Sequence, residues 1–82
     1  MATSESLSGR FSWGDEVRII ETAPSRYKTI GAIGCICGVG SVRSNAAVEQ
    51  FSEPMGTVLY LVEGSDGGAL EIPEHFLSPL DE

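Results

Sequence analysis

The sequence predicts an all-β domain, a small and strongly bent barrel of five short antiparallel strands with one short helical turn before the last strand. Three observations lead to this prediction. Apolar and β-branched residues occur in short runs, and the ten glycines fall mostly beside those runs, where they suit tight turns. Residues 64–68 contain an Asp-Gly pair, which is typical of a hairpin. The 82 residues are enough for one domain with a thin core.

The first two strands are predicted from β-branched content and alternation. Residues 16–21 form a β-branched run that follows the turn residues Gly14 and Asp15. Residues 31–39 are predicted as the second strand, bent at its glycines. Apolar residues occupy every second position of that strand, so we expect one side of it to face the core; these residues are Ile33, Cys35, Cys37 and Val39.

The remaining strands lie in the second half of the chain. Residues 57–63 are apolar on both faces, which predicts a central strand and assigns Tyr60 to the core. Residues 69–72 return as its hairpin partner. Pro73 fits the first position of a helical turn, which is predicted over residues 73–77, and residues 77–80 add a last short strand.

Two segments lack strand patterns. Residues 1–10 are rich in serine and poor in apolar side chains, so we expect a disordered tail before a barrel domain at 11–82. Residues 40–56 are predicted as a long loop, longer than most connections. Within it, residues 46–51 are compatible with a helical turn, although this window is too short to be stable on propensity alone.

Several patterns that the sequence lacks limit the expected compartment of the protein and the sites it can form. The first residues do not have the pattern of a secretory signal, and no apolar stretch is long enough to cross a membrane, so a cytoplasmic protein is expected. Cys35 and Cys37 are too close in a strand for an unstrained disulfide, so we expect free thiols packed in the core. Together with His75 they offer three soft ligands where structural zinc needs four, and we expect no metal site.

Neither catalysis nor a cofactor is expected. His75 is the only histidine, and Glu71 and Glu74 are its acidic neighbours in sequence. A turn histidine of this kind more often caps carbonyls or faces water than acts as a base. Gly38 and Gly40 resemble the start of a phosphate-binding loop, but no long helix follows them. We therefore predict a non-enzymatic protein without a cofactor.

Charge is distributed unevenly along the chain. All five Lys and Arg residues lie at or before Arg43, whereas eight of the twelve carboxylates lie after it. The stretch after Arg43 therefore carries a net charge of −8, against −7 for the whole chain. A field of this sign repels phosphate and attracts basic proteins. A basic protein partner is therefore expected, and nucleic acid is not.

The candidate partner-binding residues are the acidic side chains of the second half and one loop aromatic. Most of the aromatic residues are expected to be needed for the core, but Tyr27 lies in a loop between Arg26 and Lys28, where an interface role is as plausible. The predicted set comprises Glu49, Glu53, Glu63, Asp66, Glu71, Glu74 and Tyr27.

The order of these motifs resembles that of SH3-like barrels over residues 11–80. The resemblance is carried by Gly14-Asp15-Glu16-Val17-Arg18-Ile19, Gly31-x-x-Gly34-x-Ile36, Tyr60-x-Val62 and Pro73-Glu74-x-Phe76-Leu77. Within that class, FSWGDEVRII, GAIG, VLYLVE and EIPEHFL are similar to immunity proteins of bacterial polymorphic toxin systems. The resemblance implies a cytoplasmic antitoxin that binds a cognate toxin domain, often a basic nuclease, and blocks it.

Two other readings of the barrel remain open. The Gly31-x-x-Gly34-x-Ile36 strand is also similar to the glycine-hinged strand of KOW-type modules, which implies an RNA- or ribosome-associated protein. Those modules normally carry basic residues around the hinge, where this chain has acidic or apolar ones. The strand order is also shared by SH3-like subunits of photosynthetic complexes, which implies an accessory subunit that docks onto an electron-transfer complex.

Overall fold

The computed structural model describes residues 10–80. Most of the regular structure is β, as predicted, and the predicted helical turn before the last strand is confirmed as a 3-10 turn at Glu74–Phe76. A second 3-10 turn spans Ser25–Tyr27. The other elements are β1 (Glu16–Ile19), β2 (Ile33–Ser41), α1 (Asn45–Phe51), β3 (Val58–Gly64), β4 (Ala69–Pro73) and β5 (Leu77–Pro79).

The five strands form one antiparallel sheet with the order β4-β3-β2-β1-β5. The predicted Asp-Gly hairpin joins β3 to β4, and Gly67 in its turn has φ 90°, a value that glycine adopts at low cost. The last strand returns to pair with the first. Within residues 10–80 the edge strands β4 and β5 are not paired with each other, so the sheet is open.

The predicted orientation of β2 is wrong. Ile33 and Val39 are 40% and 47% exposed, and the free thiols of Cys35 and Cys37 are only half-buried, whereas Ile36 is fully buried. Before the register shift between Ile36 and Gly38, the inward side of β2 is held by Gly34 and Ile36. A Cβ at Gly34 would lie only 2.8 Å from the Glu63 carbonyl oxygen, so the inward side includes a position without an apolar side chain and its pattern is hidden in the sequence. Alternation in the sequence identified the strand but assigned the wrong side to the core.

The predicted long loop at 40–56 contains a helix. Strand β2 continues to Ser41, and α1 begins after Ser44, whose Oγ accepts a hydrogen bond from the Ala47 N–H at 3.1 Å. This side-chain cap satisfies one of the amide groups that a helix start leaves open. Phe51, at the other end of α1, is buried. Capping and one buried aromatic therefore stabilise a helix that propensity alone would not.

The core lies between the inner face of the sheet and the segment that joins β1 to β2. That segment contributes Ala23, Tyr27 and Ile30, all buried. The sheet contributes fully buried side chains from all five strands, among them Val17, Ile36, Tyr60, Ile72 and Leu77. The assignment of Tyr60 to the core is confirmed.

The predicted tail, residues 1–10, lies outside the described residues except for Arg10. The Arg10 N–H donates to Glu74 Oε2 at 2.7 Å, and its guanidinium donates to the Leu77 carbonyl at 3.4 Å. Arg10 therefore belongs to the folded domain. In residues 10–80 no helix has the length and hydropathy that crossing a membrane requires.

Candidate functional site

The outward side of the sheet carries three exposed glutamates. Glu16 on β1 and Glu63 on β3 are both register partners of Cys35 on the intervening strand, so the three residues share one side of the sheet. On β4, Glu71 is the partner of Leu61, which lies two residues before Glu63. We call Glu16, Glu63 and Glu71 the acidic face.

The register sets the spacing of these carboxylates. Neighbouring strands lie about 4.8 Å apart, so the backbones of Glu16 and Glu63 are separated by roughly 10 Å. Glu63 and Glu71 are diagonal neighbours, for which about 7–8 Å is typical. Leu61, itself on the solvent side, lies beside them. The acidic face is therefore a compact group of charges around an apolar contact point.

Direct ion pairs do not neutralise these acids. Within residues 10–80 the only contact between a basic and an acidic side chain joins His75 to Glu53. Arg18 lies two residues from Glu16, but its guanidinium donates to the Leu80 carbonyl. The other basic side chains likewise donate to carbonyl or hydroxyl oxygens: Arg10 to Leu77, Arg26 to Tyr27 and Phe51, Lys28 to Glu21, and Arg43 to Ser41.

Of the other predicted acids, two face solvent and two are held inside contacts. Glu49 is exposed on α1, and Asp66 is exposed in the hairpin turn, where its Oδ1 accepts from the Gly68 N–H at 2.9 Å. Glu53 is only 10% exposed and contacts His75. Glu74 accepts from the Arg10 N–H and from the Tyr60 hydroxyl. Glu53 and Glu74 therefore hold turns in place.

Tyr27 is a core residue, which corrects the expectation of a surface aromatic. The 3-10 turn at Ser25–Tyr27 buries its ring against Phe76, with ring centroids 5.6 Å apart. Its hydroxyl accepts a hydrogen bond from the Arg26 guanidinium at 3.2 Å, and the Arg26 guanidinium also lies over its ring. Tyr27 positions Arg26 at the surface but presents almost no area of its own.

The acidic partner of His75 is Glu53 and neither of its sequence neighbours. The Nε2 atom lies 2.6 Å from Glu53 Oε2, and the ring packs on Phe76 at a centroid distance of 4.1 Å. The pair fastens the segment after α1 to the turn before β5. Among the described residues no hydroxyl or thiol bonds to the imidazole, and no three metal-ligating side chains converge.

Sequence reasoning missed Glu16 and Trp13. Glu16 joins the acidic face only through the strand register. Trp13 is 76% exposed, although most aromatics of so small a domain were expected in the core. The turn residues Gly14 and Asp15 that follow it are the signal in the sequence that places it on a loop tip.

Two shallow hollows border the outward side of the sheet. One, of about 700 Å³, is lined by Arg10, Phe11, Gly14, Asp15, Glu16, Cys35, Pro79 and Leu80. The other, of about 710 Å³, is lined by Arg26, Tyr27, Gln50, Phe51, Leu61, Ala69, Leu70 and Glu71. Each hollow contains one glutamate of the acidic face beside apolar surface, which suits side chains of a protein partner.

Comparisons of the chain with protein-family models, curated proteins and solved structures found no match. The chemical character of its surface is therefore the basis for proposing a function.

Proposed function

We propose that this chain is a cytoplasmic protein-binding module, an immunity protein that covers the basic surface of a cognate toxin domain and blocks it. The observation that carries the proposal is the acidic face, in which Glu16, Glu63 and Glu71 share one side of the sheet without a Lys or Arg partner among residues 10–80. A surface of this kind attracts cations over a distance and repels phosphates.

The physics of association supports this role. A toxin nuclease grips the phosphates of its substrate with Lys and Arg side chains, and a carboxylate-rich surface offers those side chains an alternative anion. Complementary charge also accelerates diffusional encounter, which favours an inhibitor that must act before its target does damage. Exposed Leu61 beside Glu71 adds apolar area that a partner would bury.

The arrangement of strands supports the SH3-like barrel that the resemblance implies. Strand β1 lies between β2 and β5, strands β2, β3 and β4 follow one another as a meander, and a 3-10 turn precedes β5. The Asp-Gly hairpin and the turn before the last strand are features from which the sequence predicts a small barrel. The outward side of the sheet, where the glutamates of the acidic face are exposed, is accessible to a partner.

The test is the association rate with the purified product of a neighbouring toxin-like gene, measured by stopped flow at low and physiological salt. We expect E63K and E71K each to slow association by about three- to tenfold at low salt, and less at high salt. E49K and D66K test the two predicted acids outside the acidic face.

E21K is the matched control, because Glu21 is exposed in the segment after β1 and its reversal changes net charge by the same amount. Its effect should be smaller than that of E63K or E71K. Equal rates for all three variants would remove the acidic face as the binding surface. Failure of the wild-type chain to bind the toxin domain or inhibit it would exclude the immunity function.

A further inference from the structure

Trp13 is displayed on a turn that hydrogen bonds fix at three points. The Asp15 N–H donates to the Ser12 carbonyl at 3.0 Å, and the Ser12 N–H donates to Asp15 Oδ2 at 2.9 Å. The Gly14 N–H donates to the Ile36 carbonyl at 2.7 Å, which ties the turn to β2. Gly14 has φ 92°, as a type II turn requires at its third residue.

An exposed tryptophan held in this way is unusual for a chain that needs its aromatics for the core. Trp13 is 76% exposed, more than any other large apolar side chain among the described residues. Tryptophan is one of the residues enriched at the energetic centres of protein interfaces. Because the backbone of the turn is already ordered, burying this ring against a partner costs little further backbone entropy.

The surroundings of Trp13 indicate the chemistry of what it contacts. Its neighbours Phe11, Gly14 and Asp15 line the first hollow, together with Glu16 of the acidic face. Arg10 also lines the hollow, but its guanidinium lies over the Phe11 ring at 4.9 Å and donates to the Leu77 carbonyl. The exposed carboxylates of Asp15 and Glu16 are therefore the charged groups there without a cationic partner.

Trp13 does not itself line the hollow, but it lies in the chain between the lining residues Phe11 and Gly14. We propose that Trp13, together with the carboxylates of this adjoining hollow, forms the anchoring site for a Lys or Arg side chain of the basic partner. The charged head group of that side chain lies against the face of the Trp13 indole, which attracts positive charge. The same head group contacts the carboxylates of Asp15 and Glu16. This inference rests on the proposed function and adds to it a specific anchor. The sheet supplies long-range attraction, and the Trp13 turn supplies the contact that fixes the complex.

The experiment uses the full chain with octa-arginine as the probe and octa-glutamate as the negative control. Binding is measured by isothermal titration calorimetry at low salt. Trp13 is the only tryptophan, so its emission and its quenching by iodide report directly on the site. On binding octa-arginine, we expect a change in Trp13 emission and reduced access of iodide to the ring.

Four variants separate the contributions, and circular dichroism checks that each is folded. W13A should raise Kd about tenfold, in the range of an interface hot spot. W13L should bind as weakly as W13A, because leucine has no π face. E16Q should also raise Kd. M55A is the matched control, since Met55 is 55% exposed on the connection after α1, and its Kd should stay within about twofold of wild type.

The outcomes distinguish this inference from the proposed function. Equal binding of octa-arginine by wild type and W13A, with unchanged Trp13 emission, would overturn the anchor and leave the acidic face intact. Wild-type affinity in W13L would overturn the contact between the cation and the ring. Absence of any binding of octa-arginine to wild type would also overturn the anchor, whereas the immunity function is decided by the experiment with the toxin domain.

Discussion

At the scale of single residues, Tyr60 connects three parts of the chain. Its hydroxyl accepts a hydrogen bond from the Phe11 N–H at 3.0 Å and donates one to Glu74 Oε2 at 3.1 Å, while its ring meets Phe11 edge to face. Burial raises the pKa of Tyr60 above its usual value of 10.0, and the hydrogen bond to Glu74 acts in the same direction. The folded state therefore favours the neutral phenol.

Replacing Tyr60 with phenylalanine tests this hydroxyl. We expect Y60F to lower the free energy of unfolding by about 1–3 kcal/mol at pH 8, because the Phe11 N–H and Glu74 lose a buried partner. A raised pKa in the folded state gives stability that is present below pH 10 and lost as pH rises through the folded pKa. The difference between wild type and Y60F should therefore shrink above pH 10.

Urea denaturation at pH 8 and pH 11 measures both effects. Y27F is the matched control, since Tyr27 is also buried but its hydroxyl accepts a single long hydrogen bond from Arg26. Its cost should stay within about 0.5–1 kcal/mol. A difference between Y60F and wild type that stays the same at pH 11 would contradict the direction of the pKa shift.

Residue-level prediction from the sequence succeeded where a residue had one plausible environment. Tyr60 lies in a run that is apolar on both sides, so burial followed from the pattern alone. Cys35 and Cys37 occupy alternating positions that fit either side of β2, and the inward side there is marked in the sequence only by Ile36 and by Gly34, which has no side chain. Tyr27 sits among polar residues, and only the 3-10 turn reveals that its ring points inward.

At the scale of elements, one glycine fixes how the segment between β1 and β2 packs on the sheet. At Gly64 an added Cβ would lie 2.6 Å from the Ile30 Cβ and 2.8 Å from the Ile30 carbonyl carbon. These are closer approaches than real Cβ atoms make, and part of the contact is backbone, which yields less easily than a side chain. The glycine allows the buried Ile30 to close over the β3–β4 hairpin.

The alanine variant at this position should therefore be destabilising. We expect G64A to lower the free energy of unfolding by about 1–3 kcal/mol or more, as overpacking does in a close-packed core. G40A is the matched control within the same sheet, because a Cβ at Gly40 meets no atom within 4 Å. Chemical denaturation of both variants measures the effect, and equal stability of G64A and G40A would contradict the packing argument.

Prediction of elements was more successful than prediction of their packing. The strands, the Asp-Gly hairpin and the helical turn before β5 each have a local signal, and each is confirmed. The helix α1 depends on a cap by Ser44 and on burial of Phe51, which the propensity of a short window does not contain. Gly64 reads as an ordinary turn glycine until the contact with Ile30 is known.

At the scale of the whole molecule, charge and size act together. The described residues fit within 32 × 29 × 21 Å, and the chain carries a net charge of −7. The Debye length is about 30 Å at 10 mM salt but about 8 Å at 150 mM, so at low salt every charge acts on every other. At physiological salt only neighbours such as those of the acidic face still interact.

For the candidate site, too, the sequence predicts the overall character but not which residues lie together. The excess of acids after Arg43 is visible in the sequence and predicts a cationic partner. Which acids lie together depends on pairing between strands that are distant along the chain, and this pairing brings in Glu16 and leaves Glu53 and Glu74 in internal contacts. The residues of the acidic face could therefore be identified only from the register of the strands.

Mutual repulsion within the acidic face should appear as a salt-dependent stability. We expect the free energy of unfolding to rise by roughly 1 kcal/mol between 10 and 150 mM NaCl, because screening relieves repulsion that attractive pairs do not offset. Neutralising the acidic face with E16Q/E63Q/E71Q should stabilise the chain at 10 mM NaCl and flatten this dependence.

The control E21Q/E49Q/D66N removes the same charge from dispersed exposed positions and should stabilise less. Urea titrations of the wild type and both variants measure the free energy of unfolding. An equal increase in both variants would show that clustering of the acids contributes nothing. A free energy of unfolding that falls with salt in the wild type would show that attraction between charges dominates.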